Sequence, residues 1–265
     1  MMHHVRNFLS LAMSTPTYPL DINGTTEASK TILEDGKEAY NAVDIFYQQS
    51  ELPSKIGSLH SSDILFTLDN VQEQLETYLA NWINKAALLE PVHDLYSSVL
   101  YGQHMYLHIA FLSLAQALET YHRRTIGGKY QPNEEYRAGL YVKFVEVIPP
   151  ELDEDFKHSL KTGSLRYANQ FSLRRRLSDI TGELADNLPI RFIASVESRK
   201  DFIGRVCKTR NYLTHYDPDE QIEVQGPELH DLTEKLMILL EVCLLRELGF
   251  SFSAIRDMTS KHRTR

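Results

Sequence analysis

Apolar residues recur at helical spacing through the second half of the chain. Leu107, Phe111, Leu114, Leu118 and Tyr121 fall at i, i+4, i+7, i+11 and i+14, one face of a long helix that Gly127-Gly128 ends. A second stripe, Leu173, Leu177, Ile180 and Leu184, stops near Pro189. A third carries Phe202, Ile203, Val206, Cys207 and Leu213, and Ser198 with Asp201 three residues on predicts its capping box. The chain then breaks at Asp217-Pro218-Asp219. Pro227-Glu228 opens a fourth helix, with Leu229, Leu232, Leu236, Leu239, Leu240 and Cys243 inward and Gly249 at its end. Four long amphipathic helices predict an all-α four-helix bundle. Between the first and second stripes lie a helix-like piece over 136–147, stopped by Pro149-Pro150, and an acidic piece over 151–161.

Residues 1–70 lack this regularity, with Pro16, Pro19, Gly24, Gly36, Pro53 and Gly57 punctuating short apolar pieces. Ile64-Leu65-Phe66-Thr67-Leu68 predicts at most a short strand, and Asp69 the cap of a helix over Val71–Ile83. The expected organisation is an N-terminal appendage over 1–94, a helical-bundle domain over 95–250 and a basic tail over 251–265.

Composition narrows the classes of function. A formal net charge of −8 argues against a general, charge-driven nucleic-acid coat protein, though not against a local basic pocket. Basic residues do cluster at Arg174-Arg175-Arg176 and from Lys261 to Arg265, where a solvated helix face and a frayed tail are expected. Cys207 and Cys243, the two cysteines, lie in helical apolar patterns, which fits buried thiols in a reducing, cytoplasmic setting. The apolar stretch from Asn7 to Ala12 has polar interruptions and is too weak for a secretory signal. No apolar run is long enough to span a bilayer. No phosphate loop, dinucleotide fingerprint or nucleophile elbow appears, so no nucleotide cofactor is expected.

The third helix ends on unusual chemistry: Arg210-Asn211-Tyr212-Leu213-Thr214-His215. Ile203, Val206 and Arg210 follow i, i+3 and i+7, so the guanidinium leaves the helix on or beside the apolar stripe, where a charge needs a partner or a ligand. Asn211 and His215 are four apart and share a face. Arginine can hold a phosphate through two parallel hydrogen bonds, and histidine can move a proton at neutral pH. The spacing by itself says little. Arginine followed by histidine four to six residues later arises by chance about once or twice in such a chain. The tail supplies a decoy, Arg256 and His262. Two further pairings have metal-ligand spacing: His104 with His108, and Glu119 with His122, the latter echoed by Glu90 with His93. A third ligand is missing from the first and Pro91 interrupts the echo, so packing roles and no metal are expected.

Arg210-Asn211-x-x-x-His215 followed by Tyr216-Asp217 resembles the signature of the HEPN superfamily, an arginine, a polar residue and a histidine in Arg-x4–6-His. The run from Phe111 to Arg123 is similar to the first long helix of the ApeA-like HEPN group, and this likeness covers roughly residues 95–250. Arg6 to Ala12, and Ile64 to Trp82, resemble the end of the larger N-terminal region of that group, most of which would then be missing. The resemblance implies a HEPN-type bundle with additional short helices, acting as a homodimer. It implies a metal-independent endoribonuclease of phage-defence or toxin type, with RNA as substrate and no cofactor. In that reading Arg210 holds the scissile phosphate, His215 is general acid or base, and Asn211 orients one of them. Glu119, at the acidic helix position of the group, would orient Arg210. The alternative is a non-catalytic HEPN interaction or RNA-binding module.

Overall fold

The computed structural model describes residues 2–45, 64–102, 104–216 and 224–262, leaving out side chains beyond Thr259. Pro53, Gly57, the Asp217–Asp219 break, the decoy's His262 side chain and the basic side chains from Lys261 onward lie outside the described residues.

The chain begins with a helix where irregular structure was expected. Helix α1 (Met2–Met13) buries Phe8, Leu11 and Ala12, an i, i+3, i+4 set too short to stand out as a pattern. Its carboxyl end ties down a distant segment: the Leu65 and Phe66 N–H groups both donate to the Ala12 carbonyl, at 2.8 and 3.2 Å. Residues 64–68 are therefore an anchor and not the expected strand, because Leu65 and Phe66 are buried under α1 rather than paired in a sheet. The strands lie elsewhere. β1 (Asn23–Gly24) pairs antiparallel with β4 (Val43–Asp44), and β2 (Lys30–Ile32) with β3 (Glu38–Tyr40). Both pairs have largely exposed side chains, so no apolar alternation marked them.

Thr67, not Asp69, caps the next helix. Its backbone N–H donates to Asn70 Oδ1 at 2.8 Å ahead of α2 (Leu68–Val71), and α3 (Leu75–Asn84) comes next. Helix α4 (Ala86–Tyr101) runs through positions 94 and 95 and tolerates Pro91 inside it. Proline removes an N–H that would reach Ala87, and Arg124 Nη1 supplies donors instead, to Leu88 O at 2.8 Å and Ala87 O at 3.4 Å.

The bundle proper is α5 (Leu107–Thr125), α9 (Leu173–Asn187), α10 (Val196–His215) and α11 (Gly226–Leu248). Between α5 and α9 sit α6 (Asn133–Tyr136), α7 (Val142–Glu146) and α8 (Glu154–Ser159). Wide, π-type turns follow α6 at Arg137–Tyr141 and α8 at Leu160–Leu165. Helix α5 is central, packing against α4, α9, α10 and α11, and α1 joins through α3 and α4. Leu114, Leu118, Leu177, Leu184 and Leu236 are fully buried, so the predicted stripes form the core. Gly249, at φ +103°, ends α11 in the left-handed region that glycine adopts freely. The expected tail over 251–265 begins as α12 (Phe252–His262), held on α11 by buried Ile255 and Met258. His104 precedes α5 instead of sharing it with His108, so that pair has no helical i, i+4 register.

Where α1 meets α4, His93 stacks on Trp82 with ring centroids 3.9 Å apart. It is 3% exposed, and its Nε2 has no hydrogen-bond partner among the described residues. Burial, aided by the nearby His4 and His3, lowers its pKa to about 4. Such a histidine favours the folded state fully above its ordinary pKa of about 6.5, and that contribution is lost as pH falls toward about 4. The loss amounts to about 3 kcal/mol. Urea denaturation between these pH values is expected to show a falling midpoint that His93→Phe flattens. An unchanged slope in the variant would assign the acid sensitivity to other groups.

Candidate functional site

Ser195 starts α10, three residues before the expected cap. Its side chain accepts from the Ser198 N–H and Ser198 Oγ accepts from the Ser195 N–H, each at 3.0 Å. Ser198 thus fills the reciprocal third position in place of Asp201. From there the helix buries Phe202, Ile203, Val206, Thr209 and Leu213, and so carries Arg210 along the edge of the core. The helix closes at Tyr216, a non-glycine residue in the left-handed region at φ +48°, whose N–H reaches Tyr212 O at 2.7 Å.

The Arg210 side chain, 34% exposed, turns toward α5. Its Nη2 lies 3.8 Å from Glu119 Oε2 and its Nη1 donates to Asn211 Oδ1 at 3.3 Å. Glu119 is mostly covered and is fixed from its other side by Arg123 Nη2, 2.8 Å from Oε1. Arg123 in turn donates to Gln170. Asn211 and His215 are exposed, and His215 makes no hydrogen bond or ion pair with a described residue. The structure therefore brings together Arg210, Asn211 and Glu119. His215 stands apart: five helical residues turn it about 140° from Arg210, whereas Asn211 lies about 100° from Arg210 and only about 40° from His215.

One turn along α5 from Glu119 is a buried polar network that the sequence reading missed. His122, fully buried, lies between two partners: its Nε2 is 3.1 Å from Asp179 Oδ2, and its Nδ1 is 3.0 Å from Arg176 Nη1. An arginine only donates, so Nδ1 is the acceptor and Nε2–H donates to Asp179. Burial lowers the His122 pKa, and Arg176 adds to that, while the Asp179 hydrogen bond opposes it. Arg176 is 1% exposed, which corrects the expectation that the Arg174–Arg176 run is a solvated face. It also donates to Phe171 O at 3.2 Å, Gly127 O at 2.6 Å and Gly128 O at 3.3 Å. Gly128 has φ +116°, and a Cβ there would lie 2.5 Å from Arg176 Nη1, so the close approach requires glycine. Arg176 was detectable. It follows Leu173 by three residues and precedes Leu177 by one, on the apolar stripe, as Arg210 does on its own helix.

His122 is thus engaged by Arg176 and Asp179 and is not paired with Glu119 for a metal. Among the described residues no group of three or more histidine, cysteine, aspartate or glutamate side chains is placed to hold a metal ion. No described helix is long and apolar enough to cross a membrane. Both cysteines are free, and burial raises their pKa values, Cys243 to about 12, so neither is an activated nucleophile.

The family model for Apea-like HEPN matches residues 112–253, more than half of the chain and the whole stretch from Glu119 to His215. The chain belongs to the Apea-like HEPN family. A second model, ApeA N-terminal domain 1, matches residues 1–82, which include α1 and most of α3. No curated protein and no solved structure matches the chain. The mostly helical fold with its short strand pairs is that of a HEPN protein with a further N-terminal region.

Proposed function

We propose that this HEPN protein is a metal-independent endoribonuclease of phage-defence or toxin type that works as a homodimer. The observation that carries the reading is the end of α10. There a half-exposed arginine is steered by a covered carboxylate, next to an exposed amide and an exposed histidine with no structural partner among the described residues. Arg210 retains donors that Glu119 and Asn211 do not occupy, and these would hold the scissile phosphate and the extra charge of its five-coordinate state. Glu119 sets the direction of the guanidinium.

His215 would take the proton from a ribose 2′-hydroxyl as its oxygen attacks phosphorus. The bond to the 5′-oxygen breaks, that oxygen receives a proton, and a 2′,3′-cyclic phosphate is left. Because Arg210 and His215 diverge on one helix, two copies of α10 facing one cleft would place both residue types around one phosphate. This is the physical reason for reading the site as half of a composite one.

The test is direct. RNA incubated with the pure protein in excess chelator is expected to yield fragments ending in cyclic phosphate, from a species that sediments as a dimer. RNA left intact in a tight complex would instead make the protein a non-catalytic RNA-binding module.

A further inference from the structure

The segment between α5 and α9 holds a cavity of about 420 Å³, lined by none of the residues of the α10 site. Its cationic lining is Arg137, Lys161 and Arg166, its aromatic lining Tyr136 and Tyr141, with the Thr162 hydroxyl beside them and no carboxylate. On a chain of net charge −8 this is a local reversal of sign. Among the described residues, Arg137 and Arg166 form no ion pair; Arg166 only approaches the Tyr167 ring, at 5.7 Å. Glu154, the acid that feels Lys161, is already held by Lys157 at 2.5 Å. The two guanidinium groups thus line the cavity with no carboxylate paired to them among the described residues, and an anion there would supply that counter-charge.

The cavity is also braced. Tyr136 donates its hydroxyl to Leu165 O and Tyr141 donates to Lys161 O at 3.4 Å, so rings beside one π-type turn are tied to carbonyls of the other. Turns of this kind recur at functional sites. Tyr136 is buried, and Tyr141, with its ring 6.2 Å from the first, is half-exposed and lines the cavity.

We propose that this cavity binds a nucleotide, with its phosphate among Arg137, Lys161 and Arg166 and its base against Tyr141. The volume suits one such unit, the guanidinium forks match phosphate oxygens, and stacking on tyrosine accepts any base. No glycine-rich phosphate loop is involved; side chains do its work. The unit comes either as a free nucleotide or as the 5′-phosphorylated end of an RNA strand. The site is independent of the ribonuclease reading and is tested by binding alone.

Calorimetry on the full chain would titrate AMP, inorganic phosphate and a 5′-phosphorylated ribo-oligonucleotide, the last in an Arg210→Ala background that disables the other site. Saturable binding of AMP or of the oligonucleotide is expected. It should weaken at least tenfold in the Arg137→Ala/Arg166→Ala double variant, whose side chains are exposed and whose melting temperature should hold. Tyr141→Ala should weaken it as well, and phosphate alone should bind at least tenfold less tightly. Tighter binding of the oligonucleotide than of AMP identifies an RNA end, and the reverse a free nucleotide. The proposal fails if neither saturates, if the double variant binds as the parent does, or if phosphate alone binds as tightly.

Discussion

Replacing either Arg210 or His215 with alanine is expected to lower RNA cleavage by about 10²–10⁴-fold, the range for loss of a general acid–base group or of a donor to a developing charge. Folding should be nearly untouched. His215 is exposed and contacts no described partner, so its removal should change stability by no more than about 0.5 kcal/mol. Losing Arg210 does not orphan Glu119, since Arg123 keeps its grip at 2.8 Å. Two finer variants separate chemistry from positioning. Arg210→Lys keeps the charge but loses the planar fork, and should recover little activity. Glu119→Gln leaves Arg210 in place but unsteered, and should cost less than Arg210→Ala. Cleavage would be followed on a labelled RNA with circular dichroism as the control. Full activity in both alanine variants would remove the ribonuclease reading altogether.

The largest effect on stability is expected at Arg176, far from any solvent. Arg176→Met deletes the donors that satisfy the Phe171, Gly127 and Gly128 carbonyls and the acceptor nitrogen of His122. Exchanging a whole buried polar cluster for apolar groups can be neutral, but removing this one member takes the donor from the Phe171 and Gly127 carbonyls and from His122 Nδ1, while Gly128 O keeps the Phe171 N–H at 3.0 Å; the expected cost is about 3–5 kcal/mol. That is a large part of the stability of an ordinary domain. Gly128→Ala should destabilise through the same contact, because its φ of +116° disfavours a side chain and its Cβ would meet Arg176 at 2.5 Å. The two changes share one interaction, so the double variant should lose less than the sum of the singles. Urea titrations of the three variants measure this, and losses that simply add would show that the two residues act separately.

Both predictions rest on an arginine placed on an apolar stripe, and they divide instructively. Arg210 was legible because its helix ends beside it, next to an amide and a histidine. Arg176 followed the same rule but sat in a run of three arginines, which reads as a solvated face unless each position is assigned to the helix separately. Glu119 was placed near Arg210 by resemblance alone, since nothing in local spacing joins residues on α5 and α10. The structure sets them 3.8 Å apart.

The sequence by itself determined the four bundle helices, the glycine that ends α11 and the position of Arg210, Asn211 and His215 at the end of α10. Each depends on residues within a few turns, where helical period and backbone preference act. Tertiary structure decided the rest. It made a helix of the first dozen residues by giving Phe8 and Leu11 somewhere to pack, and it turned Ile64–Leu68 into an anchor under α1. It also withdrew Arg176 and His122 from water and gathered three cations around one cavity. Burial and charge convergence depend on which distant segments arrive, and no local pattern records that.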